Sequence, residues 1–149
     1  MRLAGHGVAV EVHPGWEARV WRPDTAPPAV PGAVVRLANF PLPVTKNTYA
    51  AEVADELQPG DVLVSLVELD PSLAGRGLYA AQGVPPVRVD DLDPRALQAP
   101  GPGRLGVQRF FSLHGKAFSL YVMAREGPRL ERSLHAMNAS LRSLTVGAA

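Results

Sequence analysis

The chain has 149 residues, of which 46% are hydrophobic and 19% are charged, and its formal net charge is +1. This composition predicts one globular domain over residues 1–149, because there is enough apolar side chain for a core and too little net charge to favour disorder. The near-neutral charge argues against dedicated nucleic-acid binding, and the absence of cysteine excludes thiol catalysis, disulfides and cysteine-ligated metals.

The N-terminal part of the sequence predicts strands. Apolar residues alternate with other residues over 8–12, the period of a half-buried strand, and a second short strand is expected over 17–22. The His-Pro-Gly-Trp turn at 13–16 predicts that these two strands pair as a hairpin. The proline-rich stretch 23–32 is expected to be an extended loop, and a third strand is predicted over 33–40.

The middle of the sequence combines a short helix, a buried strand and a long connection. A helix is predicted over 47–57, capped by Thr48. The run 61–69 is apolar at both alternating sets of positions, which predicts a central strand covered on both faces. Residues 70–104 are rich in proline and glycine, and 86–89 is their one strand-like piece.

The C-terminal part carries the clearest pattern. Two apolar strands, 106–113 and 117–124, are predicted to form a tight hairpin with a positive φ at Gly115. A helix is expected to follow Gly127-Pro128. One of its faces carries five large apolar residues, at positions 130, 134, 137, 141 and 144. We therefore predict an α+β fold, with a central, mostly antiparallel sheet, flanking layers and an amphipathic C-terminal helix.

No targeting or membrane segment is expected. Residues 1–8 lack the apolar run of about 7–15 residues that a secretory signal carries. No later segment reaches the length of about 18 apolar residues that a membrane-spanning helix needs. We therefore expect a cytoplasmic protein without a membrane partner.

Several short strings occur together in an order known from small bacterial domains. The string GVAVEVHPGW at 7–16 and a terminal helix closing with LRSL at 141–144 give a layout that resembles the PsbP-like superfamily. The segments 39–43, 106–111 and 120–122 are also similar to those of a group of high-GC bacterial proteins of this size. The resemblance implies a single-domain α/β/α sandwich with an accessory or binding role and no shared catalytic motif.

No motif predicts catalysis, a cofactor or a metal site. The GPGRLG string at 101–106 has the spacing of a dinucleotide loop, but it contains a proline and runs into a strand instead of a helix. The aspartates at 90–93 offer oxygen ligands, yet Asp93-Pro94 is equally typical of a helix start. The four histidines, at positions 6, 13, 114 and 135, lack the spacing of a helical zinc site. We therefore predict no catalytic, cofactor-binding or metal-binding residue.

Phe40-Pro41-Leu42-Pro43 is the candidate contact surface. Two prolines hold two large apolar side chains in a segment that cannot join a strand ladder. One interpretation is a lid over the core. The other is an exposed surface on which Phe40, Leu42 and Trp21 bind a protein partner or a second copy of the chain, with the strand at 8–12 adding edge pairing.

The sequence therefore favours a non-catalytic binding or assembly module that acts through protein contacts, and it does not favour an enzyme. The alternative is a small-ligand sensor or a small enzyme whose site is assembled from residues distant in the sequence. Arg36, Arg109, His114 and Tyr121 are candidates for such a site if the fold brings them together. Polar groups that converge on a cleft would favour this alternative.

Overall fold

Two antiparallel sheets and one α-helix are formed by the residues that the structure, a computed structural model, describes: 1–23, 32–42, 48–97 and 101–147. This mixture of strands and helix confirms the predicted α+β class. The loop predicted over 23–32 lies largely outside the described residues, as do Pro43 and the start of the helix predicted over 47–57.

The strands are distributed over a smaller and a larger sheet. The smaller sheet has the order β1-β2-β8, from β1 (Arg2–Gly5), β2 (Val8–Glu11) and β8 (Thr145–Val146). The larger sheet has the order β3-β4-β5-β7-β6, from β3 (Glu17–Trp21), β4 (Val34–Ala38), β5 (Val62–Glu68), β7 (Lys116–Arg125) and β6 (Arg104–Leu113). The helix α1 (Leu130–Arg142) follows β7.

The predicted pairing of the first two strands is wrong. Strand β2 pairs with β1 on one side and with β8 on the other, whereas β3 belongs to the larger sheet. The turn at 13–16 does form, with the Trp16 amide 3.0 Å from the His13 carbonyl oxygen. It carries the chain from one sheet to the other, so β2 is a central strand and offers no free edge.

Strand β5 lies at the centre of the larger sheet and is buried on both faces, as predicted. Val62, Val64 and Leu66 lie in a core shared with β2 and α1, whereas Leu63 lies in a second core. A 3₁₀ helix, Ala51–Glu56, contributes to the second core in place of the predicted helix. It begins after Ala50, whose φ of 56° is left-handed, so Thr48 is not its cap.

The helix α1 packs through the predicted stripe. Its large apolar residues at 130, 134, 137 and 141, together with Leu144, are all buried in the larger core. Ser143, which caps the C-terminus of the helix, and Ser140 within it also hold the end of the small sheet. Ser143 Oγ accepts the Glu11 amide (2.7 Å) and Ser140 Oγ accepts the His13 amide (3.0 Å). No helix in the described part of the chain combines the length and the apolar character needed to cross a membrane.

The proline- and glycine-rich connection between β5 and β6 covers the outer edge of β6. Ser112 exchanges backbone hydrogen bonds with Ala81 and Gly83, each 2.8 Å long, and Gly106 exchanges two with Asp93. An edge strand with unpaired backbone groups invites pairing with other chains. The connection therefore shields this side of the sheet.

The strand predicted over 86–89 is wrong. Pro85 and Pro86 have no N–H to donate to a ladder. The backbone of Val87 instead binds the Asn138 side chain on α1, where Oδ1 accepts the Val87 amide (3.0 Å) and Nδ2 donates to the Val87 carbonyl (2.8 Å). One asparagine therefore anchors the connection to the helix.

Replacing Asn138 with alanine is expected to lower the free energy of unfolding by about 1–2 kcal/mol, because the backbone groups of Val87 lose both partners. Urea unfolding followed by circular dichroism measures it. Asn138→Asp keeps the acceptor and loses the donor, so a smaller loss is expected. An unchanged denaturation midpoint in Asn138→Ala would show that the anchor does not matter.

Candidate functional site

Two hairpin turns of the same sequence, His-Gly, stand out. His6-Gly7 joins β1 to β2, and His114-Gly115 joins β6 to β7. The φ angles are 51° and 82° in the first turn and 49° and 76° in the second. Positive φ at both central residues is the conformation that suits two-residue hairpins, and it favours glycine or asparagine. Histidine is less common there than glycine or asparagine, but it adopts the left-handed conformation more readily than most other residues.

Both turns lie on one cleft of about 530 Å³. The ends of β3 and β5 and the start of β4 complete it. A volume of this size is in the range of small-molecule sites, about 300–1,000 Å³. The described residues that line it are His6, Arg22, Gly32, Ala33, Glu68, Pro71, His114, Gly115 and Lys116.

An ion pair lies in this cleft. Lys116 Nζ is 3.9 Å from Glu68 Oε1, and the two side chains are 16% and 15% exposed. This separation is too long for a hydrogen bond, and Oε1 of Glu68 accepts none from the described residues. A Cβ built on Gly7 would lie 3.8 Å from the Lys116 Nζ, so the ammonium group lies beside the β1–β2 turn. Lys116 therefore stands between the two histidine turns.

The lining residues are suited to binding more than to covalent chemistry. None of those in the described ranges carries a hydroxyl or a thiol that could act as a nucleophile. No group of three histidine or carboxylate side chains able to hold a metal ion is found in the part of the chain that the structure describes. Among the described lining residues, what the cleft offers is N–H donors from His6, His114 and Lys116, with one carboxylate, Glu68.

A larger groove of about 710 Å³ runs between α1 and the residues around Val87. Its charged residues have a small acidic excess, with arginines at 88 and 129 and acidic residues at 90, 126 and 131. It does not have the pair of histidine turns that borders the other cleft. We therefore take the cleft between the histidine turns as the candidate site.

The four distant residues considered from the sequence do not converge. Arg36 and Tyr121 both pair with Ser65, from opposite sides of β5, so they share a face of the sheet with one strand between them. Arg109 pairs with Leu120, so it lies on the opposite face, where its Nη2 is 3.7 Å from Asp91 Oδ1. Only His114 reaches the cleft.

Arg36 holds the fold together on that shared face. It is 2% exposed, its guanidinium carbon is 4.9 Å from the centre of the Trp21 ring, and its Nη2 donates to the Thr48 carbonyl. Burial lowers the pKa of Arg36 to about 10, an effect that the charge of Glu52 opposes and that of Arg19 reinforces. The group remains protonated at neutral pH and ties the residues ahead of the 3₁₀ helix to the sheet.

Phe40 and Leu42 are half-buried and pack against the second core, and Trp21 is half-buried beside Arg36. Asn39 fixes the start of this segment, since its side chain accepts the Val62 amide (2.8 Å) and donates to Gly60 and Ser133 (both 3.0 Å). This placement is the one expected of a lid. A partner-binding role for Phe40, Leu42 and Trp21 stays a prediction.

Sequence reasoning missed four of the residues that form the cleft: His6, Arg22, Glu68 and Lys116. Their nearness depends on how two sheets meet, which local patterns do not encode. The sequence contained one signal for the site, because the dipeptide His-Gly occurs twice. Only the second copy, at 114–115, was predicted to form a hairpin turn. The first turn was not recognised because β1, with Arg2, Ala4 and Gly5, lacks an alternating apolar pattern.

No protein-family model matches this chain, and no curated protein or solved structure does so either. Its function is therefore inferred from its own residues.

Proposed function

We propose that this chain is a non-catalytic binding module and that the cleft between its two histidine turns holds a small polar ligand. The observation that carries the proposal is that His6 and His114, each at a left-handed position, line the same cleft as Lys116 and Glu68. A left-handed non-glycine residue costs about 1–2 kcal/mol and is typical of sites where function outweighs local stability. The proposed function corresponds to the small-ligand alternative that the sequence left open, and it includes no catalytic step.

The layered arrangement gives such a site a rigid frame. The two cores lie on opposite faces of the larger sheet, with α1 and the small sheet on one side and the 3₁₀ helix Ala51–Glu56 on the other. We propose that these layers form the α/β/α sandwich that the PsbP-like resemblance implies. An accessory, non-enzymatic role agrees with that resemblance.

A protein partner is the second candidate. No described strand pairs with the outer edge of β3, and Trp21 lies half-exposed at its end. An extended segment of another protein, or of a second copy of the chain, could add to this edge. The alternate residues Glu17 and Arg19 are exposed and charged, and charged side chains commonly discourage strand addition, so this candidate has less support than the cleft.

Replacing both turn histidines with asparagine (His6→Asn, His114→Asn) tests the ligand-binding proposal. Asparagine tolerates the left-handed conformation, so the turns are expected to persist while both imidazoles are lost. In a screen of small anionic, neutral and cationic compounds by ligand-observed NMR, the compounds that bind the parent protein are expected to bind the double variant about tenfold more weakly.

His135→Asn is the matched control, because His135 is exposed on α1 and lines the other groove. It is expected to leave binding unchanged. Compounds that bind the parent and the double variant equally well, or that lose affinity only in His135→Asn, would place the binding site outside the cleft. A screen without any binder would contradict the proposed function.

A further inference from the structure

We propose that the open middle of strand β6 is a docking site for a short extended peptide of another protein, which adds to the larger sheet as a strand. This inference goes beyond the proposed function, because it concerns a sheet edge and uses none of the residues that line the cleft. Its outcome is therefore independent of whether the cleft binds a small ligand.

The cover over the edge of β6 has a gap at residues 107–111. The connection between β5 and β6 is hydrogen-bonded to this edge at Ser112 and at Gly106. Between these two attachments it leaves the edge and reaches α1, where Asn138 holds Val87. In the part of the chain that the structure describes, no backbone hydrogen bond joins the connection to the gap.

Two residues of the gap direct their backbone groups away from the sheet. In an antiparallel strand, alternate residues turn their N–H and C=O groups to opposite sides. Since Gly106 and Ser112 bind outward to the connection, Gln108 and Phe110 have outward groups as well. The Gln108 carbonyl accepts Arg109 Nη1 at 3.2 Å. The two N–H groups and the Phe110 carbonyl have no backbone partner among the described residues, so three groups are left for a neighbouring strand.

The side chains beside the gap favour an apolar residue of the peptide. Phe110 is half-buried, and its ring packs edge-on against the half-buried Tyr79, with 5.5 Å between the ring centres. Ser112 holds Tyr79 in place, since its Oγ donates to the Tyr79 carbonyl oxygen (2.6 Å). A peptide strand paired with β6 would place one of its side chains on this aromatic pair.

Charge does not block this edge as it does the edge of β3. Gln108 and Phe110 are uncharged, whereas β3 carries the exposed charged residues Glu17 and Arg19. The one charged residue within the gap, Arg109, points to the opposite face of the sheet, where its Nη2 lies 3.7 Å from a carboxylate of the connection. The gap therefore lacks the charged side chains that commonly discourage strand addition.

The length of the gap identifies a peptide as the occupant. The stretch 107–111 is roughly 16 Å long, at about 3.3 Å per residue, and the connection takes the place of a neighbouring strand at both ends of it. Strand β6 of a second copy has ten residues, so pairing two copies through β6 would make it collide with the connection. A short extended segment fits the gap, and main-chain pairing at a sheet edge is a common mode of peptide recognition.

Hydrogen–deuterium exchange followed by NMR tests the open edge in the free, full-length chain. The amides of Gln108 and Phe110 are expected to exchange much faster than those of Arg109 and Phe111, whose N–H groups face β7. Equal protection at all four positions would mean that the edge is already covered, and it would overturn the inference.

The binding experiment uses a synthetic peptide of about seven residues, enough to span the gap, selected on the parent protein from a random library displayed on phage. The peptide is expected to slow exchange at Gln108 and Phe110. Gln108→Pro removes the outward N–H and leaves the bonds to β7, because proline is tolerated on an edge strand. It is expected to raise the Kd of the peptide at least about fivefold through the lost hydrogen bond.

Gln108→Ala is the matched control. It keeps the backbone N–H and loses only a side chain that donates to Ser119 Oγ (3.0 Å), so its Kd is expected to stay within about twofold of the parent value. The melting temperature of each variant shows whether it folds. Phe110→Ala provides a second test if Gln108→Pro does not fold, because it removes the ring beside the gap and is expected to raise the Kd about fivefold.

Equal binding of the peptide to the parent and to a folded Gln108→Pro would overturn the inference, and so would protection confined to another strand. A selection that yields no peptide would overturn it too. A parent protein that forms dimers, and loses them in Gln108→Pro, would assign the edge to a second copy of the chain and reject a peptide. None of these outcomes concerns the cleft, so the proposed function stands or fails by its own test.

Discussion

Replacing Leu134 with alanine is expected to lower the free energy of unfolding by about 2–5 kcal/mol, the range typical of a large buried aliphatic side chain cut back to a methyl group. Leu134 is 2% exposed and lies in the core that α1 shares with β2 and β5. Guanidinium unfolding, followed by circular dichroism and fluorescence, gives the difference in free energy. A loss of this size would show that the helix is part of the cooperative fold.

Leu78→Ala is the matched control, because Leu78 is 68% exposed. The same chemical change there is expected to alter stability by no more than about 0.5 kcal/mol. Equal midpoints for the parent and Leu134→Ala would mean that α1 is not docked on the sheet as the structure has it.

The double substitution Phe40→Ser and Leu42→Ser is expected to lower the free energy of unfolding by about 3 kcal/mol, because both side chains are half-buried against the second core. Sedimentation of the same variant is expected to show no change in assembly. This is the behaviour of a lid, and it would remove Phe40 and Leu42 from the predicted partner surface.

The opposite result would support Phe40 and Leu42 as part of a partner-binding surface. Stability within about 0.5 kcal/mol of the parent, combined with weaker self-association or partner capture, would identify a recognition segment. Leu73→Ser with Leu78→Ser serves as the control, since these two leucines are 39% and 68% exposed and the change in composition is similar.

The parts of the fold that the sequence predicts well are those set by local pattern. The run 61–69 is apolar on both faces, and the structure makes it the central strand β5. The hairpin around Gly115 and the stripe on α1 are likewise local, and both are confirmed. The pairing of β2 with β8 joins residues at opposite ends of the chain, and no local signal specifies it.

The candidate site was harder to predict because its residues belong to five separate segments. Glu68 at the end of β5 looks like an exposed strand terminus in the sequence, and Lys116 looks like the flank of a hairpin. The pairing of β5 with β7 brings their charged atoms to 3.9 Å. Arg36 shows the reverse case. It looks like a possible site residue in the sequence, but its guanidinium is used to hold Trp21 and Thr48.

Mapping amide chemical shifts of the ¹⁵N-labelled protein during a titration with the compound that binds the parent protein most tightly in the ligand screen, at constant ionic strength, tests the central claim most directly. We predict saturable shifts that are largest at Gly7, Gly115 and Lys116, the backbone positions that surround the cleft. Saturable shifts confined to the groove between α1 and Val87, or no saturable shifts anywhere in the chain, would contradict the assignment of the cleft between the histidine turns as the binding site.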